Sequence, residues 1–188
     1  MGRLVATETP LDGLLVIEPQ VFRDDRGYFI ESYNKQDYAK VGISAEFVQD
    51  NENFSVRGVV RGMHMQKLNP QAKLVRVASG QVYDVVVDVR KESKTFGQWF
   101  GIELSCENKK QLFVPEGFLH GFQVLSKSTI LLYKCTDLYN PLGERGVHYA
   151  DPDLSIKWKS FDSGEPILSV KDANNPSFAR LQEELDLV

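Results

Sequence analysis

Only two cysteines and three histidines occur among the 188 residues. Cys106 and Cys135 lie far apart in no CxxC or other metal-binding spacing, which leaves no disulfide framework and makes a reduced, cytosolic protein the expectation. A basic excess is also missing: 22 lysines and arginines stand against 26 aspartates and glutamates, so a nucleic-acid partner is not expected. An acidic average still leaves room for a basic pocket that takes a small anion. No apolar run approaches the roughly 20 residues of a membrane span, and no basic-then-apolar signal pattern opens the chain. The expected location is therefore the cytoplasm, with no membrane partner. Repeats, linkers and low-complexity segments are absent as well.

What the chain has is ordinary globular material, 42% hydrophobic and 26% charged, in a length that suits one domain spanning residues 1–188. Short β-branched and aromatic runs recur between turn residues: 14–19, 28–33, 46–50, 59–66, 73–78, 82–90, 98–104, 111–115, 120–125 and 129–135. Many short strands without intervening helical patterns predict an all-β sandwich or barrel. Turns are expected at Asn69-Pro70, Ser79-Gly80 and Glu107-Asn108. Helix is expected only near Lys35–Val41 and at the tail, where Phe178, Leu181 and Leu185 fall at helical spacing.

Strand alternation sorts side chains by face. Lys73 shares a face with Val75 and Val77, Tyr133 with Leu131 and Cys135, His120 with Phe118 and Phe122, and His64 with Gly62 and Gln66. If those faces converge, a barrel interior holds two imidazoles, a phenol and an ammonium, an inventory that an apolar core does not tolerate without partners. A polar cavity is the alternative.

His64 lies in RGMHMQ (61–66), between two methionines. PEGFLHGF (115–122) has the P-x-G-x-x-H form of the second half-motif of cupin barrels, whose metal-binding members add two histidines and a carboxylate from the first half-motif. Here that first region offers one histidine, with methionine and glutamine where ligands would stand, and His148 lies in a polar late segment. A transition-metal site needs three or four N, O or S ligands, and the count falls short. Two readings of His64 remain, a hydrogen-bonded packing residue or a general base working near neutral pH.

Eight segments in order bear on the choice: FRDDRGYFIESYN (22–34), FVQDN (47–51), VVRGMHMQ (59–66), QAKLVRV (71–77), DVVVDVRKESKTFGQW (84–99), FVPEGFLHGF (113–122), YKCTDLY (133–139) and LSVKD (168–172). Together they closely resemble the dTDP-4-dehydrorhamnose 3,5-epimerase family, from about Leu14 to Asp172. The resemblance implies a cupin, a double-stranded β-helix or jelly-roll barrel with a few short helices. It implies an enzyme that works without metal or cofactor, usually as a homodimer. It also implies inversion of C3 and C5 of a dTDP-4-keto-6-deoxyhexose. By motif, His64 is the proton-abstracting base, Asp172 its orienting partner, Tyr133 the acid on the opposite face and Lys73 the cation at the 4-keto oxygen. His120 lines the sugar site, Arg61 meets the diphosphate, and Gln49 and Asn51 meet nucleotide or sugar. Arg26 and Glu31 match nucleotide contacts, with Tyr28 and Phe29 beside them, on a strand that crosses to the partner's site. Tyr139 matches the ring that stacks on thymine, and Glu144 and Lys171 match further binding positions.

The chemistry fits these assignments. A hydrogen α to a ketone is acidic because its carbanion becomes an enolate, and a cation at the oxygen stabilises that charge where it develops. Epimerisation removes a proton from one face and returns one to the other, so it needs a base and an acid on opposing walls. Taken singly, Arg26, Glu31 and Glu144 read as surface charges, and Tyr28, Phe29 and Tyr139 as sheet aromatics; the ordered set of segments reverses that reading. A mono-epimerase, a 3,4-ketoisomerase, a non-catalytic nucleotide-sugar binding module and a metal-dependent cupin oxygenase are the alternatives.

Two points set this chain apart. Arg61 and His64 differ by three positions, so plain alternation puts them on opposite faces unless the strand bulges, and Gly62 is the natural place for a bulge. Met65 stands where the family usually has an aromatic residue, Leu119 replaces a common alanine, and V-H-Y-A-D, with His148, lacks the usual tryptophan. All three departures are expected to reshape the cavity.

Overall fold

The structure, a computed structural model, describes residues 3–162 and 164–186. Its strands are β1 (Leu4–Glu8), β2 (Leu15–Pro19), β3 (Val21–Asp24), β4 (Gly27–Ile30), β5 (Gln49–Val56), β6 (Val60–Gln66) and β7 (Lys73–Ser79). They continue with β8 (Gln81–Asp88), β9 (Trp99–Ser105), β10 (Gln111–Val114), β11 (Phe118–Val124), β12 (Ser128–Cys135) and β13 (Glu144–Gly146). Three short helices, α1 (Lys35–Lys40), α2 (Val170–Ala173) and α3 (Phe178–Asp186), complete the list among the described residues.

One sheet runs β1-β2-β10-β7-β12-β5 and the second β13-β6-β11-β8-β9, while β3 and β4 form a separate hairpin. Neighbours within the sheets pair antiparallel. The two sheets enclose one apolar layer, with Val75, Val77, Leu112 and Leu131 of the first against Val82, Val86, Leu104 and Phe122 of the second. This is the expected all-β cupin jelly roll. Truncating a fully buried leucine such as Leu131 to alanine in such a layer costs about 2–5 kcal/mol.

Each sheet also has a covered outer face. Val85, Val87 and Leu119 pack beneath Phe178 and Leu181 of α3, which makes the tail helix part of the fold. On the other side, Ile17 and Leu74 pack with Tyr38 of α1 and with Ile43. Burial on both faces explains why β8 is buried from Val82 to Asp88 and is rich in valine rather than alternating. Asn34 caps α1 by accepting hydrogen bonds from the backbone N–H groups of Gln36 and Asp37.

The structure differs from the sequence expectation chiefly in β5. The predicted strand at 46–50 begins only at Gln49 and continues to Val56. Its inner face carries Gln49, Asn51, Asn53 and Ser55, so no apolar period-2 signal marks the strand. The predicted strand over 28–33 stops at Ile30, and β1, β3, β13 and α2 carried too little apolar pattern to be predicted.

Candidate active site

A bulge between β6 and β11 organises the site. His64 pairs with His120 and Arg61 with Phe122, so β6 takes three steps where β11 takes two. Gly62, at φ +118°, sits in the extra step, and a Cβ there would lie 2.6 Å from the Cα of Gly121. Only glycine permits that backbone and that approach. The bulge cancels the alternation that separated Arg61 from His64, and both line one cavity of about 330 Å³. Asn53, Lys73, His120, Tyr133, Ser169, Lys171 and Asp172 complete most of its wall.

His64 is held by a carboxylate. Its Nε2 lies 2.6 Å from Oδ1 of Asp172, whose side chain is 5% exposed against 26% for the imidazole. The orienting group is hidden while the ring meets the cavity. Asp172 sits in the first turn of α2, where Ser169 caps the helix by accepting from its backbone N–H. Burial pushes the Asp172 carboxyl up, but hydrogen bonds from His64, Ser169 and the Gly62 backbone outweigh it and hold it below the usual carboxylate range.

Across the same strand pair, His120 places Nε2 2.9 and 3.0 Å from the two oxygens of Asp84, and both side chains are buried. Asp84 was not singled out from the sequence. Its signal was an acid inside the apolar run VYDVVVDVR, where a carboxylate needs a partner. Ser169 and Asn53 were likewise missed.

Lys73 and Tyr133 come from the opposite sheet. Lys73 pairs with Val114 and Cys135, and its ammonium stands 6.0 Å from the centre of the Tyr133 ring. Burial drives the Lys73 pKa below the ordinary lysine value, while Cys135, Asp84 and Glu144 pull it back up. The Tyr133 phenol moves the other way, pushed up by burial.

Arg61 donates from Nε to the Ser55 hydroxyl at 2.9 Å and from Nη2 to the Phe54 carbonyl at 3.2 Å, which ties β6 to β5 across the opening. A second cavity of about 290 Å³ adjoins the first through His64, Lys73 and Tyr133, and adds Gln49, Asn51, Met65, Gln66, Tyr139 and Glu144. There the Tyr139 hydroxyl donates to Glu144 at 2.7 Å, and Lys171 pairs with the same carboxylate oxygen at 2.5 Å. Burial raises the Glu144 carboxyl, but Lys171, Tyr139 and His64 together hold it below the usual range.

Eleven sequence-predicted positions thus converge on two joined cavities: His64, Tyr133, Asp172, Lys73, Arg61, His120, Gln49, Asn51, Tyr139, Glu144 and Lys171. Arg26, Tyr28, Phe29 and Glu31 do not. Arg26 pairs with Asp24 on the exposed β3–β4 hairpin, Tyr28 lies under the Lys109 ammonium, Phe29 touches Phe22, and Glu31 accepts from Asn34.

The expectation about the three departures needs correction. Leu119 is fully buried on the outer face of its sheet with Met63 and Val87, because it alternates with His120. The His148 ring stacks beside Tyr149 and accepts from the Ala150 N–H, and it lines neither cavity. Met65 alone of the three lines a cavity, and it also packs against the outer apolar layer that holds Leu119. Gln66 is occupied too: its amide donates to the Asn69 and Leu138 carbonyls and accepts from the Asn140 N–H, anchoring the loop that carries Tyr139.

Comparison with known proteins places the sequence and the fold among sugar-nucleotide epimerases. A family model described as dTDP-4-dehydrorhamnose 3,5-epimerase matches residues 8–180. The chain is 50% identical over 167 residues to the dTDP-4-dehydrorhamnose 3,5-epimerase of Methanothermobacter thermautotrophicus, a match covering 89% of this chain and 90% of that one. It is 48% identical over 175 residues to the same-named protein of Salmonella typhimurium, covering 92% and 94%. A crystal structure of a dTDP-6-deoxy-D-glucose-3,5-epimerase from Legionella pneumophila, in complex with dTDP-4-keto-L-rhamnose, superposes with a TM-score of 0.93 at 45% identity, covering 97% of each chain.

Proposed function

The chain belongs to the dTDP-4-dehydrorhamnose 3,5-epimerase family, and on that premise we propose that it converts dTDP-4-dehydro-6-deoxy-D-glucose to dTDP-4-dehydro-L-rhamnose by inverting C3 and C5. One observation carries the reading. His64, braced by Asp172 at 2.6 Å, faces a cavity whose other wall supplies Tyr133 and Lys73.

His64 takes the proton α to the ketone. Asp172, ionised and buried, keeps the ring in one orientation and stabilises the imidazolium that forms. The Lys73 ammonium meets the charge that develops on the C4 oxygen, in a buried setting where such stabilisation is larger than in water. Tyr133, from the opposing sheet and with its proton held firmly by burial, returns a proton to the other face. Because C3 and C5 both flank C4, one base serves both centres as the sugar repositions. Arg61 keeps guanidinium donors beyond its two bonds to β5, and these suit the diphosphate. Tyr139, Glu144 and Lys171 line the nucleotide end, with Gln49 and Asn51 between. The residues supply the proton transfers themselves, so no metal or cofactor enters the proposal.

A homodimer belongs to the same reading. Among the described residues the outer edge of β5 is unpaired in its sheet, and β5 presents an exposed Phe54 and Val56. The β3–β4 hairpin projects Phe22, Tyr28 and Phe29 away from its own cavity. An open edge and an apolar hairpin are the two halves of a strand exchange in which Arg26 and Glu31 reach the partner's nucleotide.

The test is direct. The protein is incubated with dTDP-4-keto-6-deoxyglucose in D₂O, and deuterium is followed at C3 and C5. Incorporation at both centres is the expected result, at one centre it indicates a mono-epimerase, and at neither it defeats the proposal.

A further inference from the structure

Two successive residues of β13 face opposite ways. Glu144 turns into the second cavity, where it meets Tyr139 and Lys171, while Arg145 turns outward to the tail helix. The outward guanidinium is held at three points. Its Nη1 donates to the Leu142 carbonyl at 3.0 Å and to the Glu144 carbonyl at 2.8 Å, which fixes the end of the loop that carries Tyr139. Its Nε lies 2.8 Å from Oε2 of Glu184, an ion pair in which each side chain is less than a third exposed.

Glu184 stands in the last turn of α3 and engages twice. Its carbonyl, among the helix-end acceptors that have no intrahelical partner, accepts from the Lys67 ammonium just past the end of β6. Its carboxylate takes Arg145, and Arg180 of the same helix stands 3.6 Å from the other oxygen. Lys67 in turn donates its backbone N–H to the Gly143 carbonyl at 2.7 Å, and Gln66 beside it accepts from Asn140. One tail residue therefore grips both strands, β6 and β13, between which the Tyr139 loop is held. The carboxylate does not serve the helix, because a negative charge near a helix C-terminus is unfavourable. Nor does docking need it, since Phe178, Leu181 and Leu185 pack into the outer apolar layer.

On the epimerase reading given above, the Tyr139 loop is the nucleotide end of the site. We infer that Glu184 is a positioning residue for nucleotide binding: through Arg145 and Lys67 it sets the Tyr139 loop and Glu144 where the dTDP moiety meets them. It lines neither cavity and acts from the far side of β13. A loop already held in its binding conformation does not have to be ordered by the ligand, and affinity is higher by that ordering cost. Lys73 and Tyr133 stand on the other sheet and Asp172 on α2, so the effect falls on binding rather than on turnover.

The experiment uses the full chain and Glu184→Gln, which removes the charge and keeps the shape. Calorimetry with dTDP is expected to give a Kd raised on the order of 3- to 10-fold, with KM for dTDP-4-keto-6-deoxyglucose raised alongside it. The kcat for deuterium exchange is expected to stay within about twofold of wild type. A general loosening of the fold would lower kcat as well, so the split between the two constants is the readout. In an Arg145→Met background the same substitution should change Kd by less than about twofold, because the carboxylate acts through the guanidinium. A Kd for Glu184→Gln within about twofold of wild type overturns the inference, and so does a kcat that falls as far as KM rises. Those outcomes need only the conservative variant, so an Arg145→Met protein that fails to fold does not protect it. An effect that survives in full beside Arg145→Met also overturns it and assigns the carboxylate to Arg180. Absence of dTDP binding by the wild type is a different result, which removes the nucleotide reading of the cavity and this inference with it.

Discussion

His64 and His120 face each other as register partners on β6 and β11, and each presents Nε2 to a different carboxylate, Asp172 in one case and Asp84 in the other. The two pairs differ in access: the His64 side chain is 26% exposed and that of His120 9%. The first imidazole is the more open of the two, which supports the base role proposed for it. His64→Asn is expected to lower deuterium exchange at C3 and C5 together, by on the order of 10²–10⁴, with the Kd for dTDP retained. Loss at one centre alone would mean that a second base serves the other, with His120 the first place to look.

Lys73 and Tyr133 have their pKa values driven apart by the same burial, the ammonium downward and the phenol upward. As pH rises, Lys73 therefore loses its charge before free lysine would, while Tyr133 keeps its proton. The alkaline limb of the exchange rate is expected below the ordinary lysine value and should follow Lys73: Lys73→Arg moves it upward, and residual exchange in Tyr133→Phe retains it. The fold responds too. An ammonium whose native pKa lies below its unfolded value costs stability at neutral pH, where it is charged in both states, and that cost falls as pH rises through the native pKa. Lys73→Met should raise Tm at neutral pH while abolishing exchange, the trade-off expected where an active site holds a buried charge. An unchanged or lower Tm would count against a strained ammonium.

Much of this was legible in the sequence, for reasons that differ by element. Strands β7 and β12 announced themselves through β-branched and aromatic runs, and their alternation correctly put Lys73 and Tyr133 on the inner face. The tail helix followed from the spacing of Phe178, Leu181 and Leu185. Strand β5 stayed hidden because it turns polar residues inward, which is what a ligand site requires and what a pattern search rejects. The Arg61–His64 relationship depended on a backbone step that alternation does not encode, but Gly62 marked its place in the sequence. Asp84 was missed because the apolar run around it signals that it needs a partner but not that the partner is His120, 36 residues away.

Position also separates the residues that depart from the family pattern. Met65 packs against the tail-helix layer but also lines the cavity beside His64, whereas Leu119 is fully buried within that layer. Met65→Phe is expected to change the ratio of C5 to C3 exchange, because a rigid ring replaces a flexible thioether where the sugar repositions. Leu119→Ala is expected to leave that ratio alone and to destabilise the fold by about 2–5 kcal/mol, the cost of a cavity in a packed layer. Nuclear magnetic resonance of the exchanged sugar and urea unfolding measure the two effects. A shifted ratio in Leu119→Ala would show that the outer layer, not the cavity wall, governs which carbon is turned over.

Far from the sugar site, Asp88 anchors the chain where β8 ends. Its carboxylate accepts from Arg90 Nε at 2.9 Å and Nη2 at 2.7 Å, from the Ser93 and Thr95 hydroxyls at 2.5 and 2.6 Å, and from the Arg90 backbone N–H at 3.0 Å. Burial alone would push this acid up, but those five donors outweigh it and hold the pKa at about 2. A carboxyl depressed in the native state contributes stability that is complete above its unfolded pKa and is lost as pH falls through the native value. The contribution is on the order of 2 kcal/mol at neutral pH. Asp88→Asn should therefore unfold at lower urea than the wild type at pH 7, and the gap should narrow as pH drops below about 4 toward 2. A gap that stays constant across that window would mean the donors act on Asp88 through packing alone, without the charge that the linkage requires.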